Sequence, residues 1–225
     1  MQAGQKFRDA LNKNKPLIIP GTINAYSAKL AEKSGHSAIY LSGSGVAAAS
    51  YGLPDLGVTT MQDVLIDVKR ITSATSLPLL VDIDTGWGES DQIAETIIEM
   101  GKAGCAAVHI EDQVFDKRCG HRPNKQLVSI EEMRSRLKIA INSKVDDSFF
   151  VMARTDAIAS EGIDGAVNRC KSYIEEGADG IFLEAVTSIE QYKELKNHCS
   201  VPVLANITEF GKTPLFTQEQ LKEVG

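Results

Sequence analysis

Pro78-Leu79-Leu80-Val81-Asp82-Ile83-Asp84-Thr85-Gly86 runs from an apolar stretch straight into two acids and a glycine. A short apolar run bounded by turn residues reads as a buried strand. Here the acids fall at its C-terminal end. The pattern recurs outward in both directions, at Pro16 to Pro20, Ser37 to Leu41, Ala106 to Ile110, Phe149 to Arg154, Gly180 to Glu184 and Pro202 to Asn206. With Pro78 to Asp82 that makes seven predicted strands.

The segments between them carry helical periodicity, as in Val64, Leu65, Val68 and Ile71. Thr60 with Asp63, Ser129 with Glu132, Thr187 with Glu190 and Thr217 with Gln220 read as helix starts with a capping hydroxyl and an answering side chain. Gly35, Gly104 and Gly177 each follow a helical segment and precede a strand, where a left-handed residue is needed. Alternation of this kind predicts βα units around a parallel sheet.

Ser42, Asp82, Asp84, Glu111, Arg154, Glu184 and Asn206 all lie at or just past strand C-termini. A doubly wound sheet would gather ligands at one switch point; a (β/α)8 TIM-type barrel draws on nearly every strand. The expectation is therefore a single α/β barrel domain over residues 1–225, incomplete because its last strand and C-terminal helices are absent from this chain. An unclosed barrel leaves two edges unpaired, which a longer natural chain or a partner subunit would cover.

Lys and Arg total 24 against 30 Asp and Glu, for a net charge of −6, so nucleic acid and anionic membrane are not expected partners. The four cysteines form no Cys-x-x-Cys pair, arguing against a zinc cluster or disulfide framework and for a reducing cytoplasm. Met1 to Lys15 is polar without a signal-peptide core, and no apolar run reaches membrane length.

Two successive strand ends, Asp82-Ile83-Asp84 and His109-Ile110-Glu111-Asp112, bring carboxylates together. Each alone suits a helix cap or a surface charge. As a group flanked by Gly86 and Gly88 they repel one another unless a cation joins them, and all-oxygen ligands suit Mg²⁺ or Mn²⁺. Lys117-Arg118-Cys119-Gly120-His121-Arg122, with Lys125 beyond, surrounds one thiol with cations, which should lower its pKa and attract an anionic substrate. A solvated basic loop with an incidental thiol is the plainer alternative. Arg154, Glu184 and Asn206, taken singly, could equally be structural.

Lys117 to His121, the Asp82/Asp84 pair, Met152-Ala153-Arg154-Thr155-Asp156 and Asn206-Ile207-Thr208-Glu209-Phe210-Gly211 together resemble the active-site segments of the isocitrate lyase/phosphoenolpyruvate mutase superfamily, collinearly from about Ile18 onward. The Cys-Gly-His loop resembles its lyases more than its mutases, and oxaloacetate hydrolases can share it. Phe182 and the segment from Asn206 to Gly211 resemble methylisocitrate lyases, with 2,3-dimethylmalate and isocitrate lyases as neighbours.

The resemblance implies a homo-oligomer, a tetramer in the family, that cleaves the 2-hydroxy tricarboxylate 2-methylisocitrate to pyruvate and succinate. It implies that Asp82 and Asp84 bind Mg²⁺ with Asp55 and Glu111 holding its waters, and that Cys119 is the acid-base residue. Tyr40 and Arg154 would assist catalysis; Ser42, Gly43, Ser44, Gly120, His121, Arg154, Glu184, Asn206, Ile207 and Thr208 would bind substrate. Ser44 departs from the glycine of the family pattern.

Two other readings compete. Gly43-Ser44-Gly45-Val46-Ala47-Ala48 matches a dinucleotide fingerprint, although Ser50 to Pro54 breaks the helix it needs. A truncated barrel that binds but turns nothing over is the other.

Overall fold

A computed structural model describes all of residues 1–225. Helices α1 (Ala3–Lys13) and α2 (Ala25–Lys33) precede β1 (Ile39–Leu41), and α3 (Gly43–Tyr51) and α4 (Met61–Ala74) lead to β2 (Leu79–Asp82). Then follow α5 (Ser90–Lys102), β3 (Ala107–Glu111), α6 (Ile130–Asn142), β4 (Phe150–Thr155), α7 (Ile158–Glu175), β5 (Gly180–Leu183), α8 (Ile189–His198), β6 (Val203–Leu204) and α9 (Gln218–Glu223).

The six strands make one parallel sheet in chain order, β1-β2-β3-β4-β5-β6. Unbroken order with a helix after each strand is the winding of a (β/α) barrel, seen here as a curled, unclosed part of one. Of the seven expected strands, the first does not form. Beside β1, Tyr40 N–H donates to Pro20 O at 3.0 Å and Thr22 N–H to Tyr40 O at 2.7 Å, leaving a single bridge at Gly21. Pro16 and Pro20 have no N–H to give, which holds this segment to an edge.

Period-two alternation sorts each strand into two faces. Leu79, Val81, Val108, Ile110, Val151 and Ala153 pack outward beneath the helices, within the larger cluster of 38 buried apolar residues. Leu80, Ala107, Phe150, Met152 and Phe182 face inward with Phe7. Continuing up the inward face, the apolar tier gives way to Tyr40 and His109, then to Asp82, Glu111 and Arg154 at the strand ends. Met1 to Lys15, read from sequence only as polar, supplies the floor. Phe7 of α1 meets Phe150 edge-on with centroids 5.3 Å apart, and Arg8 lies over the same ring at 5.0 Å. Gly4 permits this docking because a Cβ there would strike the Ser148 carbonyl.

Thr60 and Thr217 form capping boxes with Asp63 and Gln220 as expected. Ser129 caps α6 by accepting from Glu132 N–H, while the Glu132 carboxylate pairs instead with Arg136 at 2.6 Å. At α8 the expectation is off by one: Ser188 is the cap, and Gln191 Oε1 accepts from Thr187 N–H at 2.8 Å and Ser188 N–H at 3.3 Å. Gly35, Gly104 and Gly177 all take positive φ. No helix is long and apolar enough to cross a membrane.

Candidate active site

Asp82 ends β2, whereas Asp84 lies beyond it with φ at +48°. This turn after the strand brings the two carboxylates together. Asp82 Oδ1 accepts from Asp84 N–H at 3.0 Å and Asp82 Oδ2 from Gly43 N–H at 3.1 Å. A Cβ on Gly43 would stand 3.2 Å from both Asp82 Oδ2 and Asp84 Oδ1, so the absence of a side chain lets α3 start directly over the acids. Ser42 caps α3, accepting from Gly45 N–H at 3.2 Å, and its Oγ meets Ser44 Oγ at 2.8 Å. The helix stops at Tyr51, where Gly52 takes φ +66°, in keeping with the break read from Ser50 to Pro54.

Lys117 reaches into this acidic corner from the loop after β3. Its Nζ lies 2.7 Å from Asp55 Oδ1 and 2.6 Å from Asp84 Oδ1. The second is a charge contact without hydrogen-bond alignment, for Asp84 Oδ1 has no hydrogen-bond partner, nor has either oxygen of Glu111. Glu111 Oε1 has no partner at all, and Asp84 Oδ1 and Glu111 Oε2 are met only by the charges of Lys117 and Arg154, so these are buried oxygens a hard divalent cation would satisfy. No three acidic, His or Cys side chains converge into a ready metal cage. The donors that Asp82, Asp84 and Glu111 offer are all carboxylate oxygens, the type that suits Mg²⁺.

Burial opposes ionisation of Asp82, yet His109 when protonated, then Lys117 and Arg154, hold its carboxyl down to about 2. Burial and the Asp82 charge push Asp84 up to about 6. Burial raises Glu111 well above the carboxylate range against the pull of Arg154. Two neighbouring acids pushed apart in this way mark a functional cluster.

Arg154 organises the other half. Its Nε and Nη2 donate to Asp156 Oδ2 and Oδ1 at 2.9 and 3.2 Å, Nη1 is 3.2 Å from Glu111 Oε2, and Nη2 is 3.2 Å from Glu184 Oε2. The guanidinium rests on the Phe182 ring at 5.1 Å. His121 Nε2 approaches Glu184 Oε1 at 3.5 Å and Thr208 Oγ1 at 3.3 Å, while its Nδ1 accepts from Lys212 N–H at 3.0 Å. That tie joins the loop after β3 to the loop after β6, where Asn206 and Ile207 lie half-buried.

Cys119 sits on the first of these loops, half-buried, while the other cysteines are buried. Its expected acidity is wrong in sign: burial raises the thiol pKa, and Asp55 and Glu184 add to the rise, outweighing the His121 backbone hydrogen bond that lowers it. Of the flanking cations, Lys117 is spent on Asp55 and Asp84, and Arg118 and Arg122 are exposed. The thiol is thus held protonated. Gly120 beside it presses on the cluster, since a Cβ there would overlap Arg154 Nη2 and lie 2.5 Å from Glu184 Cγ. Gly120→Ala is expected to cut kcat/KM by about 10²-fold through misplacement of the loop, with a melting temperature within a few degrees of the parent; steady-state kinetics beside thermal unfolding would check it.

The family whose model is described as phosphoenolpyruvate phosphomutase matches residues 7–225. The chain belongs to the phosphoenolpyruvate phosphomutase family. It is 60% identical over 223 residues to the 2-methylisocitrate lyase of Shewanella oneidensis, a match covering 99% of this chain and 76% of that one. Oxaloacetate acetylhydrolase in complex with the inhibitor 3,3-difluorooxalacetate superposes with a TM-score of 0.94 at 33% identity, covering 99% of this chain and 77% of that one. A phosphonopyruvate hydrolase complex with oxalate and Mg²⁺ gives 0.85 at 31% identity, covering 100% and 77%.

For this member of the phosphoenolpyruvate phosphomutase family, sequence reasoning quoted His109, Asp156 and Lys125 without the roles the structure gives them. His109 is fully buried, its Nε2 2.9 Å from the Tyr40 hydroxyl and its Nδ1 3.7 Å from Asp82 Oδ1. Burial lowers its pKa to about 4, leaving a neutral imidazole, while burial and Asp82 push Tyr40 well above its usual range. Two residues before Glu111 on the same face of β3, His109 was within reach of the period-two rule. Asp156 and Lys125 were not, because their roles come from the fold of the loop. Asp112, quoted among the acids, points away from the cluster and accepts from Thr155 Oγ1 at 2.7 Å and Tyr173 OH at 2.9 Å.

Proposed function

We propose that this chain cleaves 2-methylisocitrate to pyruvate and succinate with the help of Mg²⁺. The observation that carries the reading is the packing of Gly120, next to Cys119 on its loop, against Arg154 and Glu184 beside a corner of buried acids. A carbanion formed by bond cleavage needs a proton donor, and a thiol that burial keeps in its S–H form can be one. The 60% identity to a relative of that activity supports the substrate choice.

Ser42, Gly43 and Ser44, at the start of α3, would receive one substrate carboxylate, and Arg154, His121, Glu184 and Thr208, with Asn206 and Ile207, would line the remainder. Tyr40 would take the proton of the 2-hydroxyl while passing its own phenolic proton to the neutral His109 Nε2, 2.9 Å away, from which it is lost to solvent. The carbon-carbon bond then breaks, its electron pair passing to the carbon that becomes part of succinate. Cys119 delivers its S–H proton there and is reprotonated from solvent. Held at Asp82 and Asp84, with Asp55 and Glu111 toward its waters, Mg²⁺ would supply electrostatic stabilisation for charge developing on the 2-oxygen.

Pyruvate release is expected to be fastest with 2-methylisocitrate among a panel that includes 2,3-dimethylmalate, with isocitrate followed by glyoxylate and oxaloacetate by oxalate. EDTA should abolish it and Mg²⁺ or Mn²⁺ restore it. No pyruvate from 2-methylisocitrate in the presence of Mg²⁺ would defeat the assignment.

A further inference from the structure

Lys125 is a lysine whose side chain is almost wholly buried. Its side chain is 4% exposed, and its ammonium donates to Gly120 O at 2.6 Å and to Asp156 Oδ1 at 2.8 Å. Asp156 is already gripped on both oxygens by Arg154, and its own N–H donates to Asp112 Oδ1 at 3.0 Å. Burying a second cation there costs desolvation that charge balance on Asp156 alone does not explain. The other bond gives the reason, because Gly120 O belongs to the loop that carries Cys119.

That loop is tied to the barrel on either side of the thiol. Before it, Gln113 clasps the Arg118 backbone, accepting from its N–H at 3.0 Å and donating to its carbonyl at 2.9 Å. After it, His121 meets Lys212 and Thr208 on a different loop. Between them, the hydrogen bond from Lys125 fastens the Gly120 carbonyl, and its other end is the carboxylate that orients Arg154.

We propose that Lys125 is a positioning residue that sets the spacing between the Cys119 thiol and the Arg154 guanidinium. The role rests on the reading of Cys119 as proton donor. One ammonium, shared between a loop carbonyl and the Arg154 carboxylate, makes the two groups move as a unit. Without it the loop keeps its outer ties, but Gly120 is free to lift away from Arg154.

The test uses Lys125→Met and Lys125→Arg in the full chain, with iodoacetamide labelling beside kinetics. Cys105, Cys170 and Cys199 are buried, so alkylation of the folded protein reports on Cys119. Lys125→Met is expected to label several-fold faster and to lose about 10²-fold in kcat, with a smaller change in KM. Lys125→Arg, whose fork can span both acceptors, should recover part of both losses, and melting temperature separates these effects from unfolding. Should Lys125→Met not fold, Lys125→Gln, which keeps one donor, is expected to shift labelling and kcat in the same directions by less. A wild-type labelling rate in the folded variants overturns the proposal, as does faster labelling with unchanged kcat. Labelling needs no turnover, so failure of the wild-type protein to release pyruvate would count against the reaction alone.

Discussion

Cys119→Ser should lose most of its turnover, with kcat down by about 10²- to 10⁴-fold, the usual worth of a positioned proton donor. KM should stay within a few-fold of the parent, because the groups proposed to hold substrate are Arg154, His121, Glu184 and the start of α3, none of which depends on the sulfur. Serine preserves the shape but not the chemistry: its hydroxyl is a far weaker acid than even a thiol of raised pKa. The contrast with Gly120→Ala is informative, since that change should impair binding and turnover together. Steady-state pyruvate release, with product-analogue binding measured separately, distinguishes them. Near-parent kcat in Cys119→Ser would remove Cys119 from the reaction.

Arg154→Met should cost about 3–5 kcal/mol of stability in addition to activity, the range seen when one partner is stripped from a buried ion cluster. The Arg154 side chain is 7% exposed and faces Glu111, Asp156 and Glu184, of which Glu111 has no hydrogen bond of its own. Arg154→Lys should rescue little, for a single ammonium cannot replace a planar fork that serves three carboxylates. The deficit has a predictable pH dependence. Burial opposes ionisation of Asp156, but Arg154 and then Lys125 hold its folded pKa below the ordinary value. That contribution is present above the unfolded pKa of about 4 and is lost as pH falls through the folded one. In the variant the buried acids prefer their protons, so the variant suffers most at neutral pH and the gap narrows on acidification. Urea unfolding of both proteins at pH 7 and pH 4 would measure it; a pH-independent gap would contradict the electrostatic cause.

Much of this arrangement was legible in the sequence because strand periodicity is a local rule. Asp82, Glu111 and Arg154 fall at the ends of short apolar runs, and the runs alone predict that they meet at one end of a barrel. The exceptions arise where geometry is not local. Pro16 to Pro20 has strand-like composition, but its prolines cannot complete a hydrogen-bonded ladder. The Cys119 environment was misread because a count of neighbouring cations ignores which carboxylates those cations already serve. Lys117 spends its charge on Asp55 and Asp84, and only the folded loop reveals that. Lys125 and Asp156 are 31 residues apart, with no periodic relation to suggest their pairing.

Phe182 lies edge-on to His109 on one side and beneath Arg154 on another, at the boundary between the apolar and charged tiers of the interior. An aromatic plate in that place insulates greasy foundations from ionic machinery. The packing of Phe7, Phe150 and Met152 lies below it, in the same apolar cluster as Phe182 and away from the polar groups. A change confined to the upper storey can therefore alter the chemistry while the lower storey keeps the barrel standing.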